Sequence, residues 1–185
     1  RAAHARGLKV YMDIVINHTA DVIRYRECPT GGCDYRWARD YPVQRRGGLD
    51  GEPINPGFIG DGSADDFARL TRPDYAYTPY VPDAETKLKV PAWLNDVSLY
   101  HNRGNSQWFG ESALDGDFAG LDDVMTEHPR VVQGFIDVYG AWIDDYGIDG
   151  FRIDTVKHVN PEFWQVFVPA MMERARQNGI PNFHI

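Results

Sequence analysis

Two short apolar segments that end abruptly in polar residues constrain this chain more than any other feature. The first, Leu8–Asn17, is nearly all apolar and β-branched, and the second runs from residue 148 to 153. Runs of this kind are typical of parallel strands that are covered on both faces. The polar residues at or just after the two ends are Asn17, His18, Arg152, Asp154, Lys157 and His158. Packing explains such clusters poorly, so they indicate a functional site.

The last third of the chain alternates between helix and strand patterns. Apolar residues recur at three- and four-residue spacing from Pro129 to Tyr146, which predicts an amphipathic helix that ends at Gly147. The second strand follows, and residues 160–179 predict another helix, which Pro169 should kink or split. Residues 182–185 have the pattern of a new strand.

This order of elements predicts an α/β fold with a parallel sheet. Polar residues at the carboxyl ends of two strands match the active face of a (β/α)8 barrel. Such a barrel needs about 250 residues, and three strands cannot close one. We therefore expect a partial (β/α)8 (TIM) barrel whose remaining strands come from the same polypeptide.

The middle of the chain, residues 19–125, has a different composition. It is rich in Gly, Pro, Asp and Tyr, has little helical periodicity, and carries turn signals near residues 53–62. Loops of this length are normally functional or small domains in their own right. We predict an irregular inserted B domain over 19–125, between barrel parts at 1–18 and 126–185.

Composition argues against several classes of partner. Acidic residues outnumber basic ones by 27 to 19, for a formal net charge of −8, and the basic stripe of a nucleic-acid binder is absent. No apolar run is long enough to span a membrane. An uncharged substrate fits this charge balance better than an anionic polymer does.

The two cysteines, Cys28 and Cys33, flank a Gly-rich loop. Two thiolates without a nearby histidine pair make an incomplete zinc site. A local disulfide is favoured over two free thiols, and it would indicate an oxidising compartment. We therefore expect a secreted or periplasmic protein.

Arg152 and Asp154 lie two residues apart on a strand, so their side chains point the same way. A nearby guanidinium favours an ionised carboxylate, which can attack an electrophilic carbon or stabilise a developing cation. A purely structural Arg–Asp pair is the alternative, and the polar neighbours favour function. Asp13 and Asn17 also share a strand face, where Asp13 should be a deeper, structural hydrogen-bonding group.

These residues resemble conserved blocks of the α-amylase family of glycoside hydrolases, glycoside hydrolase family 13. Asp13-Ile-Val-Ile-Asn17-His18 is similar to the first block, and residues 150–158 are similar to the second, residue for residue. The segment Phe118–Asp122 falls where that family keeps a short acidic motif near the end of its B domain. The order and spacing of elements also fit, so the resemblance covers essentially the whole chain.

The resemblance implies a role for each residue at the strand ends. Asp154 matches the catalytic nucleophile, and Arg152 matches the arginine that keeps this carboxylate ionised. His18 matches a histidine that contacts the sugar at the cleavage site. Lys157 and His158 match groups that meet the sugar on the leaving-group side.

The resemblance also implies a structural Ca²⁺ ion. Asn17 and Asp122 match its side-chain ligands, and the carbonyl of His158 would complete the site. Oxygen ligands from a strand end and a loop suit a hard cation.

The implied function is retaining hydrolysis of α-1,4-glucosidic bonds in starch, glycogen or maltooligosaccharides. This reaction requires two carboxyl groups about 5 Å apart, one as nucleophile and one as acid/base. The family takes its acid/base glutamate from the end of the fifth strand, beyond Ile185, so the chain alone is expected to be inactive.

Several alternatives stay open. Within the family they are an α-glucosidase, a neopullulanase and a glucanotransferase. Outside enzymes, the alternative is a non-catalytic carbohydrate-binding or transporter-associated relative, although such proteins typically lose the groups retained here as Arg152, Asp154 and His18. Aromatic residues of the middle segment should mostly pack that segment, with one or two lining the cleft; they include Trp93, Tyr100, Trp108 and Phe109.

Overall fold

The fold is taken from a computed structural model of the chain, which describes residues 2–28, 32–41, 63–68 and 76–185. The turns expected near residues 53–62 lie outside the described residues. In chain order, the elements are β1 (Tyr11–Val15), β2 (Arg24–Tyr25), α1 (Ala64–Ala68), β3 (Pro79–Tyr80), α2 (Ser112–Asp115), α3 (Pro129–Tyr146), β4 (Gly150–Asp154) and α4 (Pro161–Gln177). No helix within the described ranges is both long and apolar enough to cross a membrane.

β1 and β4 lie side by side as parallel strands, which confirms the predicted α/β pairing. Their register places Asp13 opposite Arg152. A parallel bridge between Gly150 and His184 adds the start of a third strand beside β4, as the pattern of residues 182–185 predicts. The carboxyl ends of β1 and β4 therefore meet at one edge of the sheet.

The two long helices pack against each other beside this strand pair. α3 ends as predicted at Gly147, whose φ of +62° closes the helix in the left-handed conformation. α4 continues through Pro169 as one helix, so of the two expected effects, a kink or a split, the split is excluded. The missing N–H is tolerated because Phe163, Phe167 and Met171 anchor α4 in the core on both sides of the proline, each with 0% exposure.

One cluster of buried apolar residues joins the strands, the long helices and the middle segment. Ile14, Val131, Ile143 and Phe167 are among its members from the strands and helices. Ile23, Tyr25, Val97, Leu99 and Tyr100 belong to the same cluster and come from the middle segment. The division of the chain at residues 18 and 125 stays a prediction.

The described part of the middle segment is irregular, as predicted. Its short strands β2 and β3 pair in antiparallel fashion. The structure joins Cys28 and Cys33 in a disulfide, which confirms the favoured alternative. Gly104 has a φ of +84°, and a Cβ there would lie 2.5 Å from the Asp34 carbonyl oxygen, so only glycine fits this close backbone approach.

Candidate active site

Three charged side chains come together on one face of β1 and β4. Arg152 Nη1 donates to Asp13 Oδ1 and Oδ2 at 3.1 and 3.2 Å, and it lies 3.1 Å from Asp154 Oδ1. Strand register sets Asp13 opposite Arg152, and side-chain alternation puts Asp154 on the same face. The Asp13 carboxylate, and then Asp154, raise the pKa of Arg152, which keeps the guanidinium charged.

This face is open to solvent. The side chains of Asp13, Arg152 and Asp154 are 65%, 61% and 47% exposed. Asp13 is a hydrogen-bonding partner of Arg152, as predicted. It lies opposite Arg152, two residues before the position that pairs with Asp154, so it is deeper along the sheet than Asp154. The described residues leave this side of the two strands uncovered.

His18 lies at the same edge as Asp154. Its ring stacks on Phe118 with a centroid distance of 4.8 Å. Burial lowers the pKa of His18, the negative charge of Asp154 opposes that shift, and His158 adds to it. The net lowering favours a neutral imidazole at pH 7. The two strand ends thus bring His18, Asp154 and His158 within electrostatic reach of one another.

Lys157 and His158 follow β4 in a single 3-10 turn, Val156–His158. Lys157 is exposed, whereas His158 is buried. His158 Nδ1 donates to the Ala113 carbonyl oxygen at 2.6 Å, and the carbonyl can only accept, so Nδ1 carries a proton. This bond ties the turn after β4 to α2 in the middle segment.

Thr155 is a site feature that the sequence did not reveal. It directly follows Asp154 and has a φ of +54°, which is unusual for a β-branched residue. Among the described residues its buried Oγ1 has no hydrogen-bond partner. Strain of this kind clusters at functional sites. The positive φ of Thr155 redirects the chain from β4 into the 3-10 turn that carries Lys157 and His158. A glycine at this position would have indicated that change of direction in the sequence.

Asp122 has polar partners on both carboxylate oxygens. Lys89 Nζ lies 2.5 Å from Oδ2, and the backbone N–H groups of Val22 and Ile23 donate to the carboxylate at 3.1 to 3.2 Å. Burial raises the pKa of Asp122, and the Lys89 ammonium opposes the shift. Lys89 is itself buried and had no signal in the sequence, because its partner lies 33 residues away.

Asp123, the next residue, contacts a buried histidine. His101 Nδ1 lies 2.5 Å from Asp123 Oδ2, and His101 Nε2 lies 3.0 Å from Glu127 Oε1. Burial lowers the pKa of His101. The nearby carboxylates of Glu127 and Asp123 raise it by more than burial lowers it, so the pKa of His101 is about 9. The other oxygen, Asp123 Oδ1, is buried and has no hydrogen-bond partner among the described residues.

Backbone pairing sets Asn17 beside the Asp122–Asp123 pair. Val124 N donates to the Asn17 carbonyl oxygen at 2.9 Å, and His18 bridges to Asp123. Asn17 is 2% exposed. The described ranges contain no group of three or more His, Cys, Asp or Glu side chains arranged to hold a metal ion. A cation here would depend on amide and carbonyl oxygens together with one carboxylate.

Comparisons with known proteins show which family this chain resembles. A family model described as "Alpha amylase, catalytic domain" matches residues 1–183. An alpha-amylase of Streptomyces lividans is 46% identical over 181 residues, which cover 98% of this chain and 19% of the relative. The periplasmic alpha-amylase of Escherichia coli (strain K12) is 24% identical over 189 residues, which cover 89% of this chain and 26% of the relative.

The structure of an alpha-amylase from Malbranchea cinnamomea matches 91% of this chain and 24% of its own, with 22% identity and a TM-score of 0.46. The chain thus spans about a fifth to a quarter of the length of these proteins. Because the family model matches nearly every residue, this chain belongs to the alpha-amylase catalytic-domain family.

Proposed function

We propose that this chain forms the nucleophile-bearing edge of a retaining glycoside hydrolase that cleaves α-1,4-glucosidic bonds in starch, glycogen or maltooligosaccharides. The single observation that carries the proposal is the position of Arg152, which pairs with Asp13 and Asp154 at the end of two parallel strands. His18 lies at the same edge. Glycosyl transfer to an enzyme requires a carboxylate nucleophile at the cleavage site and a second carboxyl group that acts as acid/base.

In the proposed reaction, Asp154 attacks the anomeric carbon while the glycosidic oxygen takes a proton from an acid/base glutamate and leaves. Water then hydrolyses the glycosyl ester, and the same glutamate removes the proton from that water. Arg152 Nη1 lies 3.1 Å from Asp154 Oδ1 and would hold this carboxylate in position for the attack. His18 contacts the sugar at the cleavage site, and Lys157 and His158 meet the sugar on the leaving-group side.

We propose that the acid/base glutamate and the remaining strands of a (β/α)8 barrel come from the same polypeptide. The B domain would then be residues 19–125. Family membership and the parallel β1–β4 pair, with its polar carboxyl edge, support this arrangement.

We also propose a structural Ca²⁺ ion held by the side-chain oxygen of Asn17, the carbonyl of His158 and a carboxylate at position 122 or 123. Both oxygens of Asp122 already accept hydrogen bonds, with Lys89 as counter-ion. The choice of Asp123 as the carboxylate ligand is supported by its buried Oδ1, which lacks a hydrogen-bond partner among the described residues. The ion would neutralise charge where the middle segment meets β1.

A glucanotransferase is the second candidate function. It is favoured by the similarity to a cyclomaltodextrin glucanotransferase of Geobacillus stearothermophilus, which is 25% identical over 166 residues, or 89% of this chain and 16% of the relative. Product analysis with maltooligosaccharides separates the two: a hydrolase gives shorter products, and a transferase also gives longer or cyclic ones. An α-glucosidase or neopullulanase would differ in bond and chain-length preference, and a non-catalytic relative would give no products.

A secreted or periplasmic location is also proposed. The Cys28–Cys33 disulfide supports it, since disulfides persist in oxidising compartments. The similarity to a relative that is named as periplasmic supports it as well.

The proposed function is tested by Asp154→Asn in the intact polypeptide that carries this chain. We expect starch hydrolysis to fall by at least about 10³-fold, with substrate binding retained. Asp145→Asn is the matched control, because Asp145 is exposed on α3. Near-normal turnover of Asp154→Asn would refute the nucleophile assignment, and anomeric NMR of the first product tests retention.

A further inference from the structure

Phe118 lies between the two histidines that come after β1 and β4. Its ring stacks on that of His18, with a centroid distance of 4.8 Å and an interplanar angle of 23°, and it makes an edge contact with His158 at 5.5 Å. A stacked contact fixes the plane of an imidazole and leaves the nitrogens, which lie in that plane, free to form hydrogen bonds. Phe118 is therefore placed to control how His18 is oriented at the site edge.

A tight turn over residues 118–121 presents this ring. The N–H of Phe118 donates to the Leu121 carbonyl oxygen at 3.0 Å, and the N–H of Leu121 donates to the Phe118 carbonyl oxygen at 3.2 Å. The two central residues, Ala119 and Gly120, have φ values of +53° and +93°. Type I′ turns require a positive φ at both central positions, and their usual sequence is Asn-Gly. Ala119 is thus strained, so contacts outside the turn must hold it in this shape.

Both stems of the turn make such contacts. On one side, the buried Asp117 carboxylate accepts from the Asp123 N–H at 3.1 Å. On the other side, the Asp122 carbonyl oxygen accepts from the backbone N–H of Thr19 at 3.0 Å. Thr19 directly follows His18, so this bond sets the turn beside the backbone of the histidine. The backbone thus fixes the phenyl ring over the imidazole.

The ring of Phe118 contributes little to the main core. Phe118 is half-buried, and the buried apolar cluster that joins the strands and the long helices in the described part of the chain does not include it. Its contacts with other rings are instead with His18, His158 and Trp108. A leucine would fill the same space, but only a flat ring can stack on the face of an imidazole.

We propose that Phe118 is a positioning residue for cleavage of the glycosidic bond: the turn over residues 118–121 holds its ring against His18 and thereby sets the orientation in which that imidazole meets the sugar. Phe118 acts through His18 and does not itself bind the substrate. This inference rests on the proposed function and deepens it, because it names the part of the middle segment that controls the geometry of the strand ends.

The first test is Phe118→Leu in the intact polypeptide, which keeps apolar bulk but removes the flat ring. From the usual strength of a stacked pair, kcat on a soluble maltooligosaccharide should fall about 3- to 10-fold, with a smaller change in KM. Phe118→Tyr keeps the ring and should restore kcat. Tyr146→Leu is the matched control, because it removes an exposed ring on α3, and it should leave kcat unchanged. Melting temperatures verify that each variant is folded.

A double-mutant cycle tests whether Phe118 acts through His18. In a His18→Ala background, Phe118→Leu should change kcat by less than about twofold, because the ring no longer has an imidazole to orient. The same fall with and without His18 would overturn the positioning role. A rise in KM at unchanged kcat would also overturn it, since the ring would then be a binding contact, and so would unchanged kinetics of folded Phe118→Leu.

NMR of protein labelled with ¹³C-histidine reports the placement of the ring without turnover. The ring current of a stacked phenyl ring moves the signals of the His18 imidazole upfield, and His18→Ala identifies those signals. Phe118→Leu should remove this displacement, and Phe118→Tyr should keep it. If the parent protein cleaves no α-glucan, the proposed function fails. Unchanged His18 signals in Phe118→Leu would overturn the placement of the ring whatever the activity.

Discussion

Asp13 and Arg152 lie opposite each other across β1 and β4, and Arg152 Nη1 donates to both Asp13 oxygens at 3.1 and 3.2 Å. The same nitrogen lies 3.1 Å from Asp154 Oδ1. Asp13 therefore orients the guanidinium that serves Asp154. In the proposed reaction, Asp13 is a positioning residue that acts through Arg152.

Asp13→Asn should lower kcat in the intact polypeptide about tenfold while KM changes less, because the guanidinium loses its anchor but substrate contacts remain. Steady-state kinetics on a soluble maltooligosaccharide measure both constants, with Asp145→Asn as control. A kcat equal to that of the parent would show that Asp154 alone holds Arg152.

The buried Lys89–Asp122 pair should be important for stability. Lys89→Met leaves Asp122 as a buried carboxylate without its counter-ion, which should cost about 3–5 kcal/mol of the free energy of unfolding. The double variant Lys89→Met/Asp122→Asn should recover part of that loss. Urea denaturation measures the parent, Lys89→Met, Asp122→Asn and the double variant, and exposed Lys87→Met is the control. Additive effects of the two single changes would exclude the coupling.

Removal of Ca²⁺ should lower thermal stability if the proposed ion is present, because a ligand that binds only the folded state stabilises it. At about 100 times the Kd the loss is about 2.7 kcal/mol, which is several degrees of melting temperature. Differential scanning calorimetry with and without EDTA measures it, and added Ca²⁺ should reverse it.

Two neighbouring substitutions identify the carboxylate that binds the ion. If Asp123 Oδ1 is the ligand, Asp123→Asn should abolish the EDTA effect and Asp122→Asn should retain it. The opposite result would support Asp122. Isothermal titration calorimetry with Ca²⁺ compares the two variants at a temperature at which they stay folded. If the parent protein shows neither an effect of EDTA on its melting temperature nor a heat of Ca²⁺ binding, the proposed ion is ruled out.

Asp149 should make the fold sensitive to acid. It is buried and accepts from Lys9 Nζ at 2.7 Å, from the backbone N–H of Val10 at 2.8 Å and from His4 Nε2 at 2.7 Å. Burial opposes ionisation, but these bonds lower the pKa of Asp149 to about 2. A carboxyl group whose pKa is lower in the folded state contributes stability above its unfolded pKa, about 3.9, and loses it as the pH falls to about 2.

Asp149→Asn should therefore cost about 1–3 kcal/mol at pH 7 and flatten the decline in stability between pH 4 and 2. Denaturant titrations at pH 7, 4 and 2.5 measure both effects, with Asp145→Asn as control. A variant that declines as steeply as the parent would assign the acid sensitivity to other carboxylates.

The sequence by itself determined the elements whose signals are local. α3 was predictable from its apolar spacing and from the glycine at 147, and β1 and β4 were predictable from their apolar runs. Side-chain alternation placed Arg152 and Asp154 on one face. These features depend on residues within a few positions of one another, so periodicity and capping report them directly.

Only the tertiary structure decided which polar groups meet across long separations. Lys89 with Asp122 and His101 with Asp123 both involve the middle segment, where no period sets a register. The strained turn at Thr155 also left no mark, since its residue type does not favour a positive φ. Local patterns indicate which face of an element is buried. The partner of a buried charge or ring in an irregular segment depends instead on how the whole chain packs.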